Sequence, residues 1–203
     1  MCVPRLWSHG LSRFNSVRER FLWSAFFASF MCEMEDTQKP LFQDRNSVWQ
    51  GCLALKEKEI PIRMYYVSGN SNYLIDCLPF KGTYDTRFLS FKQIQKIKQV
   101  DLVTLNKKLN SDEHCILIGL PNSSNGLDKY EMAQKLKGSF VDYLNRKKSI
   151  GITYLYERGE EEETFVLYVF PNCEYTQKML TKIFPKDNTL QHTAYVLFII
   201  VKS

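Results

Sequence analysis

The chain has 203 residues and a net charge of +5, with 44% hydrophobic and 14% aromatic residues. That is enough apolar material for one sizeable core and too much for a disordered chain, and its even spread argues against a multi-span membrane protein. The mild positive charge permits an anionic partner without requiring one.

Residues 1–20 carry Arg5, Arg13, Arg18 and Arg20 against a single acid, Glu19, and the unbroken apolar run "FLWSAFFASFMC" (21–32) follows. The order mimics a signal peptide. Twelve residues of helix rise about 18 Å, well short of the roughly 30 Å hydrocarbon core, so this run is not expected to span a membrane. Three readings stay open: a leader, although bulky Phe30 and Met31 after Ala28 make a poor cleavage site; an apolar segment docked on the domain; or an extension without function. The polar, proline-bearing "EMEDTQKPLFQDRNS" (33–47) reads as a linker, so residues 1–45 are an extension, leader-like or disordered, ahead of a domain at 46–203.

Within that domain, "VWQGCLALK" (48–56), "IPIRMYYVSG" (60–69) and "NYLIDCLPF" (72–80) are short apolar runs bounded by Gly, Asn and Pro, the pattern of successive strands. Both faces of the first are apolar or small, which predicts a central strand ending on Lys56. The signature returns in "CILIGLP" (115–121), "IGITYLYE" (150–157), "TFVLYVFP" (164–171) and "AYVLFIIVK" (194–202), giving seven candidate strands. Helical periodicity marks 100–109, where Asp101 is placed to cap the first turn, 127–148, and 173–184 with Met179, Leu180, Ile183 and Phe184 on its apolar side. The glutamates at 160–163 lie between two strands and read as a solvated loop. Seven strands and a few helices predict an α+β domain, a distorted, closed or nearly closed mixed β-barrel with flanking helices, since closure removes exposed edges.

Little in the sequence points to catalysis. His114 and Cys115 are adjacent, but neighbouring strand residues face opposite sides, so they cannot act together from one strand. Neither a Gly-rich phosphate loop nor H-E-x-x-H, G-x-S-x-G or a nucleotide fingerprint occurs. Six cysteines, at 2, 32, 52, 77, 115 and 173, form no C-x-x-C pair, which speaks against a zinc module or a disulfide framework and for buried, reduced thiols.

What remains is lysine and tyrosine. Tyr143 and Lys147 are four residues apart on the long helix, one turn from each other and just beyond the apolar stripe of Met132, Leu136 and Phe140. Lys56, with Lys92, Lys96 and Lys98 in "FKQIQKIK", supplies cations to place beside them. A phenol hydroxyl among ammonium groups is suited to a phosphate, because the lysines bring charge and the hydroxyl a directed donor. The plainer reading is a set of solvated lysines decorating a barrel.

"VWQGCLALK", "MYYVSGN", "CILIGLP", "LKGSFVDYLNRKKSIGI" and "FPNC", in that order, closely resemble the SPOC domain, the C-terminal module of Split-ends family proteins. The resemblance covers roughly residues 46–202 and implies a distorted seven-stranded barrel with helices. It implies further a nuclear role in transcriptional regulation, in which the domain binds serine-phosphorylated acidic peptides of corepressors. Lys56 would end the family's first strand, and Tyr143 with Lys147 would fill its F-x-x-Y-L-x-x-K pattern. The family's basic segment is arginine-rich, whereas here it offers Lys92, Lys96 and Lys98, with Lys96 the best match; lysine does not grip a phosphate bidentately. Split-ends proteins also carry RNA-recognition motifs upstream, and no such motif precedes this domain, so a stand-alone domain, a fragment and a divergent relative all stay open. The resemblance implies neither cofactor nor metal and no membrane partner. The alternative partner is RNA or DNA, held through the same lysines.

Overall fold

The computed structural model describes residues 46–78, 88–122, 126–156, 162–185, 190 and 193–203. The apolar run 21–32, the predicted linker up to residue 45 and residues 157–161 of the acidic loop lie outside them, whereas Glu163, expected in that loop, opens a strand. Among the described residues eight strands make one sheet: β1 (Trp49–Leu55), β2 (Lys58–Gly69), β3 (Phe88–Ser90), β4 (Gln93–Lys96), β5 (His114–Pro121), β6 (Ser149–Tyr156), β7 (Glu163–Pro171) and β8 (Val196–Lys202). Their order is β3-β1-β2-β5-β8-β7-β6-β4, with β1 and β3 parallel and every other ladder antiparallel.

β3 and β4 stand at opposite ends of this order, yet Phe91 and Lys92 alone separate them in the chain. Three Cα steps span at most about 11 Å, so the sheet must curl until its ends nearly meet. The result is a curled half-barrel. Phe91 pins the closing link: it lies against Gly151 of β6, where an added Cβ would come within 2.9 Å of its ring, and it meets Phe140 edge-on at 6.3 Å between centroids.

Alternation along the strands creates two cores. Trp49, Leu53, Ile62, Met64, Leu117, Leu167 and Phe198 fill the concave side together with Leu136 and Phe140 of the long helix. On the convex side Ile118, Ile152, Leu197 and Ile199 are covered by Leu105 of one helix and Leu180 of another. Burial on both faces is why β5 and β8 read as near-continuous apolar runs.

The helices are α1 (Asn72–Cys77), α2 (Leu102–Leu109), α3 (Gly126–Leu136), α4 (Asp142–Lys147) and α5 (Glu174–Ile183), and a π turn, Lys137–Val141, joins α3 to α4. Asp101 caps α2 as expected, accepting from the Thr104 amide at 3.0 Å and the Thr104 hydroxyl at 2.7 Å.

The architecture matches the expected one, with two differences of detail. Residues 72–77, expected as a strand, are helical: Leu74, Cys77 and Leu78 recur at helical spacing and bury one side, leaving Ile75 exposed, and so short an apolar run fits either period. Gly69, with φ of +98° and no room for a Cβ against the His114 carbonyl, ends β2 and turns the chain toward this helix. The strand count rises to eight because β3 and β4, three and four residues long, lie in a segment with no apolar alternation and form through pairing with β1 and β6.

Trp49 is 1% exposed in the concave core, so Trp49→Ala should lower stability by about 3–5 kcal/mol in urea unfolding. Gly151→Ala should cost about 1–3 kcal/mol by driving Cβ into the Phe91 ring. Phe91→Leu added to Gly151→Ala should give a double variant whose loss is clearly less than the sum of the two single losses.

Candidate functional site

β1 and β2 are joined by a two-residue loop, Lys56–Glu57, with Leu55 paired to Lys58. Lys56, expected as the last residue of the strand, therefore sits in the turn itself, one residue past the end of β1 at Leu55. Its φ is +58°, a left-handed conformation that hairpin loops usually give to glycine or asparagine. Holding a lysine there costs about 1–2 kcal/mol. The ladder on either side and the burial of Leu55 and Ile60 keep the turn in place.

α4 supplies the facing wall. Leu144 is fully buried beneath the helix, while Tyr143, Arg146 and Lys147, at i, i+3 and i+4, share its outer side. The helix ends on a second left-handed lysine, Lys148 (φ 49°, ψ 48°), where glycine is the usual choice. β4 secures this end. Ile97 donates to the Lys148 carbonyl at 2.9 Å, and Lys96 donates its ammonium to the Lys147 carbonyl at 2.5 Å, which the Ser149 hydroxyl also meets at 2.9 Å. Lys96 thus satisfies an orphan carbonyl and complements the negative end of the helix dipole.

The turn and the helix bring three of the expected residues together. The Lys56 ammonium lies 5.5 Å, and that of Lys147 5.1 Å, from the centroid of the Tyr143 ring. Hydrogen bonding from Lys147, then the charges of Lys147 and Lys56, hold the Tyr143 phenol below its ordinary value, although partial desolvation opposes them. Among the described residues no carboxylate forms an ion pair with Lys56 or Lys147, although Glu57 is near enough to line the same hollow as Lys56. Beside it opens a hollow of about 380 Å³ lined by Leu55, Lys56, Glu57, Lys58, Gly138, Ser139, Tyr143 and Arg146.

The other expected cations stand differently. Lys96 adjoins the cluster through the backbone of Lys147. Lys92, at the far end of β4, sits 5.7 Å and 5.4 Å from the rings of Tyr154 and Tyr156 and does not join Tyr143, because a strand carries its ends apart. Lys98 is exposed on the 3₁₀ turn Ile97–Gln99, with no described partner. Sequence reasoning missed Lys58 and Arg146. The i, i+3 spacing of Tyr143 and Arg146 was a usable signal; Lys58 needed the hairpin register.

His114 and Cys115 do not form a catalytic pair. The imidazole Nδ1 donates to the Lys108 and Ser111 carbonyls, at 3.1 and 2.7 Å, while Cys115 belongs to the concave core, where burial pushes its thiol up to about 12. Among the described residues no group of three His, Cys, Asp or Glu side chains is placed to hold a metal, and no helix is long and apolar enough to cross a membrane.

Burial raises the phenols of Tyr66, Tyr168, Tyr175 and Tyr195. In an ultraviolet pH titration Tyr143 should therefore ionise ahead of these four; Tyr143→Phe should remove that early limb, and Lys147→Ala should move it to higher pH.

A family model for the SPOC domain matches residues 39–203. Protein split ends of Drosophila melanogaster is 30% identical over 167 residues, covering 81% of this chain and 3% of that protein. The human Msx2-interacting protein is 28% identical over 138 residues, 68% of this chain and 4% of that protein. The chain thus spans a few per cent of the length of these relatives. Among solved structures, the SPOC domain of human PHD-finger protein 3 superposes with a TM-score of 0.50 at 16% identity, covering 78% of this chain and 98% of that one, which supports the fold.

Proposed function

The chain belongs to the SPOC domain family, and from that premise we propose that it is a peptide-binding module for acidic, serine-phosphorylated motifs of transcriptional corepressors or chromatin regulators, working in the nucleus in transcriptional repression. The observation that carries this reading is the convergence of Lys56, Lys147 and Tyr143 from distant parts of the chain without a described carboxylate in ion pair with them. A phosphoserine brings close to two negative charges and three acceptor oxygens, which two ammonium groups and one phenol hydroxyl complement. Charge-assisted bonds are worth about 1.5–3 kcal/mol each, enough to make binding depend on the phosphate. Lys96 adds field from the helix end, and Arg146 brings a guanidinium to the rim. Lysines act on the phosphate as point charges, so the positions of Lys56 and Lys147 set the geometry, the one from the β1–β2 turn and the other from the last turn of α4.

Fluorescence anisotropy with paired phosphorylated and unphosphorylated acidic peptides tests the reading. Binding should require the phosphate, and Lys56→Ala or Lys147→Ala should weaken it by about 10- to 100-fold with thermal stability nearly unchanged, Tyr143→Phe less. Equal affinity for the two peptides would remove the phosphate from the account. Tighter binding to single-stranded RNA or DNA, with a steep log-log salt slope, would assign the lysines to a nucleic-acid backbone instead. Lys56→Gly separates strain from binding: it should stabilise the fold by about 1 kcal/mol and bind as poorly as Lys56→Ala.

A further inference from the structure

Gly138 is not explained by the fold around it. It stands in the π turn inside the long helix, where glycine costs about 0.5–1 kcal/mol relative to alanine. Glycine is required where φ is positive or where a Cβ would collide, and neither holds here. Its φ is not in the left-handed range, and a Cβ built on it meets nothing within 4 Å. Gly69, Gly119 and Gly151, by contrast, each have a neighbour that a Cβ would strike. The space above Gly138 is the hollow bounded by Leu55, Ser139, Lys58 and Arg146, which shares Lys56 and Tyr143 with the cationic cluster.

We propose that this hollow is a side-chain subsite contiguous with the phosphate seat, and that Gly138 is the specificity-determining residue that keeps it open. The proposal rests on the phosphopeptide reading. Tyr143 lies five positions after Gly138, at most about 7.5 Å along the axis at the α-helical rise of about 1.5 Å per residue. In an extended peptide the side chains at i and i+2 point to one side and are also about 7 Å apart. A phosphoserine on Lys56, Tyr143 and Lys147 therefore presents the residue two positions away to the hollow. The occupant is an apolar side chain: most of the surface that lines the hollow is carbon, and Leu55 and the bare Gly138 are part of it. Lys58 and Arg146 face the acidic remainder of the same peptide.

The experiment uses the full chain and short acidic peptides with a central phosphoserine, carrying Leu or Ala in turn at each position one or two residues to either side, with unphosphorylated copies alongside. In the parent protein, Leu should bind about tenfold tighter than Ala at one of the two positions two residues away and at neither adjacent position. Gly138→Trp, which fills the hollow, should erase this preference while keeping phosphate dependence. Gly138→Ala controls for folding; with open space for its Cβ it should stabilise the protein by about 0.5–1 kcal/mol in the same urea unfolding. If the parent requires the phosphate but ranks Leu and Ala alike at every position, or if Gly138→Trp keeps the parent's preference, the subsite is refuted and the phosphate seat stands. If the parent ignores the phosphate, both fall together.

Discussion

The whole arrangement depends on a link of two residues. Phe91 and Lys92 tie the first strand of the sheet order to the last, so the sheet cannot lie open. Once it is curled, β4 lies along β6, whose first residue, Ser149, is paired with Lys96 and follows α4 after a single turn residue. That pairing puts the Lys96 ammonium on the last carbonyl of α4, while Phe91 packs edge-on to Phe140 in the π turn above it. A constraint on sheet curvature thus becomes a constraint on where one helix ends and which way it faces.

One wall of the cationic cluster starts from a left-handed turn residue, Lys56, and the other, α4, is terminated by a left-handed residue, Lys148, directly after Lys147. Lys56 opens the β1–β2 turn and Lys148 follows α4. Glycine would relax both positions, so the fold carries a cost of a few kcal/mol that its own packing does not require. Tight turns have few alternative conformations, and a side chain launched from one starts from a fixed Cα. Lys56 is placed in this way, whereas Tyr143 and Lys147 are placed by α4, whose end Lys148 and the Lys96 ammonium fix.

Much of this was legible in the residues. The long runs that became β1, β2, β5, β6, β7 and β8 announce themselves because burial on one or both faces demands apolar side chains at strand spacing, and the Asp101 cap and the Tyr143–Lys147 pair follow from helical geometry alone. Segments whose structure is imposed from elsewhere were not. "NYLIDC" carries an apolar set compatible with two periods, and the carbonyl of His114 against Gly69 decides where the preceding strand stops. β3 and β4 are strands because β1 and β6 offer them partners, a fact stored far away in the sequence. The separation of Lys92 from Lys96 was hidden for the same reason: until β4 is known to be extended, a basic segment reads as one patch.

The brevity of the closing link also bears on solubility. β3 and β4 are the free margins of the sheet, each with a row of amides and carbonyls able to recruit a strand from another molecule. Here they are only three and four residues long, a two-residue tether holds their adjoining ends together, and β4 contains Lys96 and lies between Lys92 and Lys98. Borders this short, one of them bearing lysine, are poor templates for a strand from a neighbouring chain, so the two residues that curl the sheet also draw its adhesive margins together.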